Sequence, residues 1–182
     1  MENRKTQITD LALKLIREKG YVAISYDDLS KQLGVTKASI HYHFEKKEDL
    51  GVAVTERLLQ NLQDFSSLIT NSKMTVEEKI NHFLERQIVL SDGGICPISS
   101  LQSDIESLPE KIRQNVEEIS QLEITIFKNI LKETMNERRV EEIESLAFAI
   151  VSCMKGAIQY ERVLGKKILP QAMNEINRLI KG

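Results

Sequence analysis

The chain of 182 residues has no tryptophan, three prolines, two cysteines, three histidines and only 5% aromatic residues. Each shortage closes a class of function. Cys96 and Cys153 are too few for a disulfide framework, which fits a reducing compartment. His41 and His43 fall on different faces of one helical segment and His82 stands apart from both, so neither a metal nor a cofactor is expected. No apolar run approaches the roughly 18 residues of a membrane span; the uncharged stretch between Glu144 and Lys155 falls far short. The opening Met1-Glu2-Asn3-Arg4-Lys5-Thr6 leads into no apolar core and no small-residue cleavage site, so the expectation is no signal peptide, no membrane partner and a cytoplasmic location. What is present, 41% apolar and 29% charged residues, suits a packed globular protein.

Helix breakers are as sparse as the aromatics. Between Gly51 and Gly93 there is neither glycine nor proline, and no alternating run is closed by an Asn-Gly or Asp-Gly turn. The expected fold is all-α with about nine helices. Ile8, Leu11, Ala12, Leu15 and Ile16 stripe a first helix stopped by Gly20. Ser25 caps a second, with Asp28 at its positive end, and Thr36 caps a short third that runs to about His43. Leu50, Val54, Leu58, Leu62, Phe65 and Ile69 mark a long fourth. Thr75 and Glu78 form a capping box for a fifth, with Val76, Ile80, Phe83, Leu84 and Ile88 inward. Asp92-Gly93-Gly94-Ile95 is the clearest break. Pro97 and Pro109 then suit the first turns of a sixth helix and of a seventh ending near Asn136. An eighth helix is expected over about 140–164 and a ninth over 170–181.

Charge divides the chain. Residues 1–47 hold nine Lys/Arg against six Asp/Glu, whereas residues 48–182 hold 16 against 21. A basic N-terminal segment joined to an acidic larger one suggests an anionic partner for the first. Residues 26–45 also have the spacing of a helix-turn-helix. Leu29, Leu33, Val35 and Ile40 form a small core, Gly34 supplies a left-handed turn, and Lys37, Ala38, Ser39 and Tyr42 face outward. Small residues at 38 and 39 permit close approach to a groove, and Lys37 offers a cation for a phosphate or base edge.

The stretch from Ile8 to Leu50 resembles the TetR family of bacterial transcriptional regulators. The residues that carry the resemblance are Gly20-Tyr21, Ser25, Gly34-Val35-Thr36-Lys37, Tyr42-His43-Phe44 and Lys47-Glu48-Asp49-Leu50. His41 departs from the aromatic usual in the family and is expected to pack rather than contact DNA. The resemblance implies an N-terminal three-helix helix-turn-helix domain over residues 1–47 and a C-terminal helical ligand-binding and dimerisation domain over 48–182. It also implies a homodimer on a palindromic double-stranded DNA operator, most often as a repressor, with a small-molecule effector in the larger domain and the fourth helix as the link. Ser25, Thr36, Lys37, Ala38, Ser39, Tyr42, His43 and Lys47 would then lie at the DNA.

In the larger domain Phe83, Gln87, Leu101, Ile105, Phe127 and Phe148 fall on inward faces, where core packing competes with ligand contact. Cys96 sits before Pro97 near a helix start, where a thiol is activated. The segment Gly94-Ile95-Cys96-Pro97 resembles one branch of the family, so Cys96 is a candidate ligand or electrophile-sensing residue, against the alternative of a small buried residue. Cys153 reads as core. Ser145, Ala149, Ser152 and Gly156 form a small-residue face on the eighth helix. With Met173, Ile176, Leu179 and Ile180 of the ninth, that face is the candidate dimer interface, intramolecular packing being the alternative. No catalytic residues are expected: Cys96 and His82 match no nucleophile motif. A helical interaction protein without DNA affinity is the remaining alternative.

Overall fold

The computed structural model describes residues 3–91, 94–135 and 139–181. Asp92, Gly93 and Asn136, invoked for the central break and the end of the seventh helix, lie outside them. Among the described residues the regular structure is helical throughout. The α-helices are α1 (Arg4–Lys19), α2 (Tyr26–Leu33), α3 (Lys37–His43), α4 (Lys47–Asn71), α5 (Val76–Ser91), α6 (Pro97–Ser103), α7 (Glu110–Lys132), α8 (Val140–Leu164) and α9 (Leu169–Lys181). The spacing missed one element, a single 3₁₀ turn at Ile105–Ser107. Pro109 stands just before α7 rather than in its first turn; its carbonyl accepts from Arg113 N–H at 3.0 Å.

The caps are those the sequence implies. Ser25 accepts from the Asp28 backbone at 3.2 Å and the Asp28 carboxylate accepts from Ser25 N–H at 3.0 Å, a complete capping box. Thr75 and Glu78 repeat it at the start of α5. Gly34 ends α2 in the left-handed conformation, φ 64° and ψ 35°.

The chain divides into two compact units. The first comprises residues 1–61 and 97–119, the second residues 62–96 and 120–182. The charge boundary at residue 47 therefore does not coincide with a boundary of packing. Ile8, Leu15, Ile16, Leu29, Ile40, Leu58, Ile98, Leu101 and Ile112 fill the first core. Ser100 of α6 donates to the Ile16 carbonyl at 2.7 Å, taking up one of the orphan acceptors at the C-terminal end of α1. Asn115 of α7 donates to Thr55 of α4 at 2.9 Å in the same core. Phe83, Leu84, Phe127, Leu131, Ala147, Ile150 and Met154 fill the second, and Ile176 of α9 is buried there.

Three inward assignments fail. Ile88 is exposed on α5, Phe148 is 48% exposed on α8, and Cys153 is exposed rather than core. Helical period alone cannot tell an apolar stripe that faces its own core from one that waits for a partner.

Gly51 marks the closest approach in the first unit. A Cβ there would press on Ile112 Cδ1 and lie 2.7 Å from Tyr21 Cε2, both in buried side chains. Gly51→Ala gains up to about 1 kcal/mol of helix propensity but overpacks a filled site, which costs about 1–3 kcal/mol. The overpacking is the larger effect. Denaturant unfolding should show a net loss of stability for this variant, and a gain would mean that the α4–α7 packing is loose.

Candidate functional site

The first unit builds a surface around α3. Thr36 caps it, its hydroxyl accepting from Ser39 N–H at 3.2 Å. Thr36, Lys37 and Ala38 are exposed, Ser39 and His43 are half-buried, and Tyr42 is 86% exposed, its ring edge-on to His43 at 5.1 Å. On the opposite face Ile40 is wholly buried. A large aromatic held in solvent next to a cation and a helix cap is an arrangement that serves a polyanion: hydroxyl, ammonium and backbone N–H groups all suit phosphates or groove edges.

The side chains behind α3 set its position. Tyr26 donates its hydroxyl to the Phe44 carbonyl at 2.8 Å, tying the start of α2 to the end of α3. Burial and the nearby Asp49 charge push the Tyr26 phenol up to about 12, so it remains a donor at neutral pH. His41 is exposed by area, yet its ring lies edge-on to Tyr26 at 4.7 Å and its Nδ1 is 3.0 Å from the Glu45 carbonyl. It packs against Tyr26 from a solvent-facing position, so the expectation of an internal residue is only half met. Lys37 is paired with Asp27 at 2.7 Å. Lys47 donates to the Val22 carbonyl at 2.8 Å and stands 4.7 Å over the Tyr21 ring. Burial lowers its pKa against the opposing pull of Asp104. Its ammonium is thus engaged inside the unit. The Ser25 hydroxyl is likewise engaged, with Asp28.

The residues singled out for a ligand are divided between the two units. Phe83, Gln87, Cys96 and Phe127 are buried in the second unit, while Leu101 and the half-buried Ile105 belong to the first. Phe148 faces solvent. Cys96 is 2% exposed, which denies a thiol sensor the access it requires and disfavours the electrophile reading. The second unit holds an open cleft of about 340 Å³ lined by Ile88, Ile158, Glu161, Arg162, Lys166 and Leu169 among others; none of the expected ligand residues lines it. Ser145, Ala149 and Ser152 are exposed on α8 and Gly156 is half-buried with nothing within 4 Å of where its Cβ would stand. Met173 and Ile180 are half-buried, but Ile176 is wholly buried within its own chain and drops out of the candidate interface. Phe148, Tyr160, Val163 and Leu164 are large exposed residues on α8 that the small-residue pattern overlooked.

Sequence reasoning also missed a polar cluster in the second unit. Glu123, 1% exposed, accepts from Gln87 Nε2 at 3.0 Å and from Lys155 Nζ at 2.6 Å. Arg86 stands 5.1 Å over the Phe65 ring; burial lowers its pKa, and the charges of Glu123 and Cys96 oppose that. These residues come from three helices, and nothing in a single sequence links them. No group of three or more His, Cys, Asp or Glu side chains that could hold a metal occurs among the described residues, and no helix among them is long and apolar enough to cross a membrane.

A left-handed glycine between two short helices, a buried Leu29–Ile40 side and an exposed polar face define a helix-turn-helix DNA-binding fold. Residues 8–54 match the model of the bacterial regulatory proteins of the tetR family. A crystal structure of a TetR transcriptional regulator from Legionella pneumophila is 31% identical, with a TM-score of 0.88 over 100% of this chain and 97% of that one. The chain belongs to the TetR family of transcriptional regulators. The biofilm operon icaADBC HTH-type negative transcriptional regulator IcaR of Staphylococcus epidermidis is 27% identical over 116 residues, 64% of this chain and 63% of that protein, so the match spans less than two thirds of that relative. The transcriptional regulator FadR of Bacillus subtilis, solved in complex with stearoyl-CoA, has the same fold at 19% identity, with a TM-score of 0.71 over 98% of this chain and 99% of that one.

The capping box carries a pH signature. The Asp28 carboxylate is held at about 2, against an ordinary 3.8, by hydrogen bonds from Lys19 and Ser25. A carboxylate lowered on folding stabilises the fold above its unfolded pKa and loses that contribution as pH falls towards the folded one. Unfolding followed by circular dichroism should therefore show stability falling between about pH 4 and about pH 2, in step with this group. Asp28→Asn should flatten that part of the profile. An unchanged acid limb would show that the box contributes nothing through its charge.

Proposed function

We propose that this protein is a ligand-responsive repressor that binds a palindromic DNA operator as a homodimer and is released by a small molecule held in its second compact unit. The observation that carries the reading is the exposed face of α3, with Thr36, Lys37, Ala38 and Tyr42 presented from a helix fixed behind by Ile40 and by the Tyr26–Phe44 hydrogen bond. Lys37 supplies charge once it exchanges Asp27 for phosphate. That exchange is cheap, because an exposed pair contributes about 1 kcal/mol or less. Tyr42, Ser39 and His43 supply hydroxyl and ring donors, and the N-cap at Thr36 supplies backbone N–H groups. Lys47 and Ser25 act by holding the unit in shape. In this reading residues 1–47 carry the DNA contacts and residues 48–182 carry effector binding and self-association, with no catalytic step. Negative regulation by the Staphylococcus relative and the stearoyl-CoA seen in the Bacillus fold neighbour support repression and an effector.

Self-association belongs to α8. Ser145, Ala149, Ser152 and Gly156 run along it with Phe148, Tyr160 and Val163, an apolar and small-residue face that a second copy would cover. Gly156→Trp places its ring where the fold has open space. Circular dichroism should show an unchanged fold and sedimentation a monomer; a dimer of normal mass would remove this face from the interface.

The reading is tested by selecting duplexes from a random DNA pool with the purified protein at near-physiological salt. Enrichment of one palindrome is expected. On that duplex Lys37→Ala should weaken binding and flatten the slope of log K against log salt by about one for each phosphate it no longer neutralises. Recovery of no motif, with weak binding abolished by salt, would leave the helical interaction protein as the better reading.

A further inference from the structure

The second unit contains two polar atoms that the fold leaves without partners. Among the described residues Arg86 Nη1 and Gln87 Oε1 are the buried side-chain atoms that make no hydrogen bond. Gln87 is 0% exposed. Glu123 accepts from Gln87 Nε2 with one oxygen and from Lys155 Nζ with the other, and neither bond reaches the two orphaned atoms. Arg86, Lys155 and Glu123 together carry one surplus positive charge, with Glu123 buried and the two cations half-buried beside it. Buried donors and acceptors without partners are expensive, and a buried charge more so, unless something else completes them. The orphans belong to consecutive residues of α5 that both face the Glu123 carboxylate, and they are of opposite type, a cationic donor and a neutral acceptor, which defines what that something must be. It must offer an anionic acceptor to Arg86, a hydrogen-bond donor to Gln87, and one negative charge overall.

We infer that Arg86 Nη1 and Gln87 Oε1 form the polar end of the effector site, and that the effector class is a small carboxylate bearing a hydroxyl. The inference rests on the reading of the second unit as the effector-binding part and gives that effector its chemistry. A carboxylate oxygen accepts from Arg86 Nη1 and neutralises the surplus charge, while the hydroxyl donates to Gln87 Oε1. Phe65, over which Arg86 stands, makes an edge of the site, and Phe83, 6.3 Å from Phe65 and 4.8 Å from Phe127 between centroids, packs behind it. Phosphate monoesters fit less well, since a second negative charge would face Glu123.

The test uses the full chain, its selected operator duplex, and lactate, 2-hydroxybutyrate and 2-hydroxyoctanoate as probes, with the matching 1,2-diols as uncharged controls. Calorimetry should show saturable binding of at least one hydroxycarboxylate and none of its diol, with release of operator in the same concentration range. Arg86→Met should weaken that binding by about tenfold or more, the usual scale for losing a charge-assisted hydrogen bond. The same variant should keep operator affinity, and its ligand-free melting temperature should stay level or rise, because a buried donor without a partner is removed. Should Arg86→Met fail to fold, Arg86→Lys keeps the charge, loses the planar fork, and is held to the same weakening of carboxylate binding. Equal binding of acid and diol, undiminished carboxylate binding by the variant, or no binding by any probe would overturn the inference; the last would leave a trapped water as the occupant of the pair. Release of operator by an uncharged compound would remove the carboxylate chemistry and keep the effector reading. Binding of the hydroxycarboxylate without release of operator would do the reverse.

Discussion

The packing of the first unit turns on one phenol. Tyr21 is almost wholly buried at the point where α1 gives way to the segment leading into α2. Its backbone N–H donates to Asp104 at 2.8 Å, its hydroxyl donates to the Lys47 carbonyl at 3.3 Å, and its ring lies under the Lys47 ammonium and against Gly51. Burial and the charges of Glu48 and Asp49 push the phenol up to about 12, so it is a dependable donor throughout the physiological range. One residue thereby links the end of α1, the start of α4 and the segment after α6. Each link is modest, about 1 kcal/mol for a net hydrogen bond. Their shared centre means that none can be removed without disturbing the others.

That constraint matters because α3 cannot stand by itself. Seven residues are far below the length at which a helix is stable in water. It persists because Thr36 caps it, Ile40 buries one side and Tyr26 holds the Phe44 carbonyl at its end. Ile40 and Tyr26 hold it from the side away from solvent, so apart from the exposed Thr36 cap the outer face is free to be selected for recognition at little cost to stability. Lys37–Asp27 is the exception, a surface ion pair that gives the cation a resting partner of low strength.

Local signals were legible in the sequence and long-range ones were not. The Ser25 cap, the Thr75 capping box, the Gly34 turn and the limits of α8 depend on residues within a few positions of one another, and each appears where the spacing places it. The outward set on α3 was also readable, because a helical period and a known turn orient it. The errors share a cause. Phe148, Ile88 and Cys153 lie on helices apolar on more than one side, where the period gives no preference between core and surface. Ile176 erred the other way: the amphipathic α9 spends its best apolar residue on its own chain. Tyr26–Phe44, Tyr21–Asp104 and Gln87–Glu123–Lys155 join residues 18 to 83 positions apart, and no local rule predicts such pairs.

The second unit shows the complementary situation. Its core is aromatic and aliphatic except at Lys79, Gln87, Ser91 and Glu123, and the half-buried Arg86 and Lys155 stand beside Glu123. As a source of stability this cluster is poor: a buried ion pair is commonly matched or bettered by apolar residues of the same volume. Two further polar atoms left without partners make it poorer still. By contrast, the Asn115–Thr55 hydrogen bond in the first unit and the bonds of Glu123 show that this chain does satisfy buried polar groups where they only hold the fold together. A sequence whose caps, turns and apolar stripes agree so closely with its fold departs from that agreement where something other than folding is being specified. At Arg86 and Gln87 the unmet needs are chemically definite, one anionic acceptor and one donor. The core is therefore incomplete in a way that a particular kind of molecule would complete.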